Sequence, residues 1–132
     1  MPTHKRLPFV EHVGIEITGQ RDGASTCLLA VAPRHFNSSG VVHGGAIFTL
    51  ADAGMGAAPI PGLQDGERCA TIEIKINYFK PVTADVLTCN TEVINRGKSV
   101  AHLESSVYCA GVLVAKASGN YAIFRPGARD AA

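Results

Sequence analysis

The chain predicts an α+β fold in which an antiparallel sheet wraps around one long central helix. Three observations point there. Between Ala46 and Ala58 the residues are apolar or small almost all round, and Pro59 and Pro61 close the run, which makes it one buried helix of about three to four turns. Two strand-like runs precede it and four follow, joined by short turns, and strands with short connections pair antiparallel. One long apolar helix must then be covered by that sheet.

Taken in order, residues 3 to 12 suggest a short N-terminal helix or turn anchored by Phe9 and Val10. Val13 to Thr18 alternates as a strand does, and Gly19-Gln20-Arg21-Asp22-Gly23 reads as a hairpin loop. A second strand runs from about Ala24 to Ala32 and stops at Pro33. Arg34 to Val42, rich in Asn, Ser and Gly, delivers the chain to the helix. After the loop from Pro59 to Gly66, Ile72, Ile74, Ile76 and Tyr78 alternate with Thr71, Glu73, Lys75 and Asn77, giving one greasy and one polar face. Lys80-Pro81 ends that strand. Val86 to Ile94 is the next, Asn95-Arg96-Gly97-Lys98 the turn, Ser99 to Cys109 another strand, and Val112 to Phe124 the last, with Gly111 as the turn residue between them. Arg125 to Ala132 reads as a polar or frayed tail.

At 132 residues, 46% hydrophobic and 17% charged, residues 1–132 are expected to form a single domain with a substantial core. A net charge of +1 offers no electrostatic footprint for nucleic acid or for a membrane surface. The basic start is followed by Leu7 to His12, which is too short and too polar for a signal peptide, and no window is long enough to span a membrane, so a cytoplasmic protein is expected. Cys27, Cys69, Cys89 and Cys109 lie far apart inside strand-like runs, as free thiols in a reducing compartment would. GxSxG, HExxH and GxGxxG are absent, and Gly97-Lys98-Ser99 lacks the rest of a phosphate-binding loop.

Chemistry is expected at the helix. Its single charge, Asp52, sits in an apolar run where an ionised carboxylate is disfavoured without a task. Gly44-Gly45 at its entrance weakens helix initiation, yet a helix start offers unpaired N–H groups and a positive dipole end, and glycine lets a ligand oxygen approach them. His43 reads either as a site residue or as a cap, Asn37 as a site or turn residue, and Thr71 as a site or plain strand residue. Asp52 lies eight residues beyond Gly44, on nearly the same helix face but roughly 12 Å further along the axis. One carbonyl group cannot touch both. If they serve one reaction, the glycine amide of one chain meets the aspartate of another across a two-fold axis.

The segments Asn37-x-x-Gly40-x-x-His43-Gly44-Gly45, Leu50-Ala51-Asp52 and Ala70 to Tyr78 ending in Lys80-Pro81 resemble the hotdog-fold acyl-CoA thioesterases of the phenylacetate-degradation PaaI type. The resemblance runs from Leu7-Pro8-Phe9 and Gly14-Ile15 to the last strand. It implies thioester hydrolysis without a metal or redox cofactor, in a homodimer with active sites at the interface, commonly assembled into a homotetramer. It implies that Asp52 acts as general base or nucleophile, and that the Gly44 N–H polarises the thioester carbonyl. Asn37 and His43 would orient the carbonyl or the water, and Thr71 would assist the water or the carboxylate. Asp52 and Thr71 would come from one subunit, and Asn37, His43 and Gly44 from its neighbour. Read from the helix start itself, Gly44 and Gly45 form a carbonyl-binding platform, and Arg96 and Lys98, in the hairpin turn, either hold the phosphates of coenzyme A or belong to a solvated loop. Rival expectations are a hotdog-fold hydratase or dehydratase relying on His43, and a non-catalytic acyl-CoA sensor. Gly54, Gly56, Ala57 and Ala58 are expected to leave room beside the helix for an aryl or medium-length acyl chain.

Overall fold

The turn signals fall where the chain reverses in the computed structural model, which describes residues 6–127. Helix α1 (Pro8–Val13) starts on its proline and ends at Gly14, whose φ of 92° is the left-handed cap that glycine adopts freely. Strands β1 (Ile15–Arg21) and β2 (Ala24–Ala30) form a hairpin around Asp22-Gly23, so β1 extends through most of the expected loop. Helix α2 (Gly44–Ala57) follows, then β3 (Arg68–Tyr78), β4 (Val86–Arg96), β5 (Val100–Cys109) and β6 (Val112–Phe124). Ala110 and Gly111 both have positive φ, the mirror-image turn whose twist matches that of the flanking strands. Asn95 and Arg96, expected in a turn, belong to β4. Of the expected N-terminal helix, residues 3–5 lie outside the described part, as do residues 128–132 of the expected tail.

The six strands form one sheet in the order β1-β2-β4-β5-β6-β3, every neighbouring pair antiparallel. Helix α2 lies across it. Ile47 and Leu50 pack with Leu29, Leu87 and Val107, while Ala51, Met55 and Ala58 pack with Leu103, Tyr121 and Ile123. The helix comes so near β4 that a Cβ at Gly54 would stand 2.4 Å from Thr91 Oγ1. Buried hydroxyls meet its inner carbonyls: Ser25 donates to Gly54 O at 2.7 Å and Ser105 to Ala51 O at 3.4 Å. The four cysteines are free, and Cys27 faces Cys89 directly across the β2–β4 ladder. Burial, reinforced by Cys89, pushes the Cys27 thiol up to about 12.

Strand β3 departs from the expected pattern. Its register with β6 shifts between Thr71 and Glu73, so Ile72 is the extra residue of a bulge and is 58% exposed. The simple alternation therefore breaks at Ile72, and Thr71 is paired with buried Tyr121 rather than lying on the polar face with Glu73. Among the described residues no helix is long and apolar enough to cross a membrane.

Candidate active site

The site begins with the loop that feeds α2. Asn37 Oδ1 accepts the N–H groups of Ser39 at 2.9 Å and Val41 at 3.3 Å, while the Asn37 N–H donates to Val41 O at 2.8 Å. Its carbonyl end thus shapes the loop, and its Nδ2 has no partner among the described residues. Buried His35, a residue that sequence reasoning passed over, pins the same segment. His35 Nδ1 accepts the Ala32 N–H at 2.9 Å, Nε2 lies 2.6 Å from Val13 O, and the His35 carbonyl accepts the His43 N–H at 2.7 Å.

His43 is the N-cap of α2. Its Nδ1 accepts the Gly45 N–H at 2.8 Å, which leaves the ring proton on exposed Nε2. Of the two glycines, then, Gly45 spends its amide on the cap. The Gly44 N–H, at the first helical position, has no partner among the described residues and is the free donor at the positive end of the helix. Both glycines are also needed for space: a Cβ at Gly44 would stand 3.1 Å from the Tyr78 ring and hydroxyl, and one at Gly45 would stand 2.9 Å from His43 Nδ1. Tyr78 donates to Gly44 O at 2.7 Å. This helix entrance opens on a cleft of about 370 Å³ lined by Val41, Gly44, Ile47, Tyr78, Phe79 and Lys80 among others.

Two turns further along, Asp52 is half-buried. Its Oδ1 accepts the Tyr121 hydroxyl at 2.6 Å and the Thr71 hydroxyl at 3.4 Å, and Tyr121 also reaches the Asp52 carbonyl at 3.3 Å. Oδ2 has no partner among the described residues. Burial first, then the hydrogen bond to Asp52, raise the Tyr121 phenol well above its ordinary range, so it stays a donor. Sequence reasoning missed Tyr121, because an aromatic residue in a strand reads as core. Only its pairing with Thr71 across β3–β6 brings it under the carboxylate.

The structure brings Asp52 and Thr71 together, and separately places Asn37, His43 and Gly44 on one loop and helix start. Arg96 and Lys98 line a different cleft of about 540 Å³ with Gln64, Glu67 and Arg125. There Arg96 lies 3.3 Å from Glu67 and also donates to Gly97 O, while Arg125 donates to Gln64 at 2.9 Å and to Asp65 O. Thr71, Tyr121, Ala101 and Arg96 are successive partners across β3, β6, β5 and β4, so this second cleft flanks the row that holds Asp52. The room expected beside the helix is narrower than its small residues suggested. Thr91 fills the space at Gly54, Ala57 and Ala58 are buried, and only Gly56 faces open space.

Comparison with known proteins agrees with this architecture. Residues 39–116 match the family model described as Thioesterase superfamily. A candidate esterase of Saccharolobus solfataricus is 29% identical over 122 residues, 92% of this chain and 81% of that protein. A conserved protein of Pseudomonas aeruginosa superposes with a TM-score of 0.84 at 30% identity, covering 90% of this chain and 95% of that one. A Haemophilus influenzae thioesterase superposes with a TM-score of 0.84 at 23% identity over 89% and 82% of the two chains, and shares the fold. The six-stranded antiparallel sheet around one long helix is thus the hotdog fold, and the chain belongs to the thioesterase superfamily.

Proposed function

We propose that the protein hydrolyses acyl-CoA thioesters, aryl or medium-chain, at two equivalent sites, each shared between the subunits of a homodimer that pairs further into a tetramer. The observation that carries this reading is the arrangement on α2: a carboxylate with one oxygen held and, among the described residues, the other free, and a glycine amide at the helix start likewise without a partner there. The two stand roughly 12 Å apart along the axis of one helix, so a single carbonyl needs the amide from a second copy. Edge strand β3 supports the pairing. Ile72, Tyr78 and Phe79 are each about half exposed along it, an apolar edge that a second chain would cover.

In this mechanism the thioester oxygen accepts the Gly44 N–H, which stabilises the charge that develops on it. Asp52 Oδ2 takes a proton from water as the water oxygen bonds to the carbonyl carbon and the C=O pair moves to oxygen. Collapse of that adduct breaks the C–S bond, and the departing thiolate takes the proton from Asp52, leaving a carboxylic acid and free thiol. Direct attack by Oδ2 with an acyl-enzyme intermediate uses the same residues. Asn37 Nδ2 and His43 Nε2 are the remaining donors on the partner's side, and Thr71 supports the carboxylate. A hydratase reading that makes His43 the principal base is less well supported, since His43 Nδ1 is occupied by Gly45.

Asp52→Asn keeps the shape and removes the base. Thiol release from a panel of acyl-CoA esters is expected to fall at least a hundredfold, about 3 kcal/mol of barrier, while binding of a non-hydrolysable analogue stays within a few-fold. Turnover equal to the parent's would overturn the assignment.

A further inference from the structure

We propose that Tyr121 is the positioning residue of the site: its hydroxyl clamps Asp52 Oδ1 and so reserves Oδ2 as the oxygen that acts on water or on the acyl carbon. This rests on the hydrolase reading given above and adds a residue to it. The hydroxyl donates to Oδ1 at 2.6 Å, while the alternative acceptor, the Asp52 carbonyl, is further off at 3.3 Å. A buried tyrosine that only needed a partner for its O–H could have used that backbone oxygen. Here the shorter bond goes to the side chain. Thr71 adds its weaker contact, 3.4 Å, to the same oxygen, so both donors converge on Oδ1 and, among the described residues, none reaches Oδ2.

The tyrosine is itself rigidly held. It is 2% exposed and packed with Ala51, Met55 and Leu103, and it sits in the β6 ladder between Thr71 on β3 and Ala101 on β5. A carboxylate turns about its last bond over a broad, shallow range, and one short bond from a fixed donor removes that freedom. The clamp therefore fixes the orientation of the second oxygen, as a reaction whose geometry must be held to a fraction of an ångström requires.

Tyr121→Phe removes only the hydroxyl. With acyl-CoA substrates kcat is expected to fall about tenfold while KM stays within about twofold, as the loss of an orienting contact requires. The second readout does not need turnover. The infrared carboxylate stretch of Asp52, identified as the band lost in Asp52→Asn, should shift in Tyr121→Phe. It should shift the opposite way when 3-fluorotyrosine, a stronger donor, is placed at position 121. The fluorinated protein also serves if the phenylalanine variant does not fold. A band that stays put in both, or a kcat equal to the parent's, overturns the clamp. If the band moves but the parent releases no thiol from any acyl-CoA, the clamp stands and the hydrolase reading falls.

Discussion

At the residue scale, His43 separates two jobs that sequence alone could not divide. Its Nδ1 bond to the Gly45 N–H makes it a helix cap, and its Nε2, without a partner among the described residues, is left for a ligand. His43→Ala should lower folding stability by about 1 kcal/mol, read as a drop in urea midpoint, because the first turn loses its side-chain acceptor. His43→Asn restores an acceptor of good capping type and should recover that loss. If thiol release recovers in His43→Asn as well, the ring acts through the cap. If stability returns and activity does not, Nε2 contacts the substrate. The residues with odd chemistry for their setting, Asp52 in an apolar helix and paired glycines at its start, were legible without coordinates. Tyr121 was not, because it lies 69 residues from Asp52 and nothing in its own segment distinguishes it from packing.

At the element scale, periodicity located the helix and all six strands, since burial on one side of a sheet imposes alternation and burial around a helix does not. What it could not register was the bulge at Ile72, where one extra residue puts Thr71 opposite Tyr121 and leaves a large apolar side chain outside. Nor could it say which strands lie side by side. The β2–β4 ladder, made of strands separated by the helix and β3, sets Cys27 against Cys89 under α2. Burial pushes Cys27 from an ordinary 9.0 to about 12 and raises Cys89 as well. The folded chain thus holds these protons after the unfolded chain has released its own. Such raised values contribute stability that is fully present below pH 9 and is lost as pH climbs from there toward 12. Each such thiol steepens the decline by up to about 1.4 kcal/mol per pH unit. Cys27→Ala costs some stability at neutral pH from lost packing, but its loss between pH 9 and 11 should be shallower than the parent's by about one proton's worth. Parallel curves from urea titrations across that range would contradict the assignment.

At the scale of the whole molecule, one helix fixes the length that decides how the site is assembled. Gly44 and Asp52 lie on the same α2, and eight residues of helix hold them roughly 12 Å apart whatever the side chains do. If each site takes Asp52 from one subunit and Gly44 from the other, two damaged chains can repair each other. Asp52→Asn chains keep a sound glycine entrance. Gly44→Val chains keep a sound carboxylate, with the added side chain growing from a Cβ that would already stand 3.1 Å from Tyr78. A mixed dimer then has one site carrying both lesions and one carrying neither. Equal amounts of the two inactive proteins, dissociated and reassembled together, should form mixed dimers in about half of all pairings, and so recover about a quarter of parental thiol release. Each protein reassembled alone should recover none. A site complete within one chain gives no recovery under any mixing ratio, because every chain present then carries a lesion in its own site.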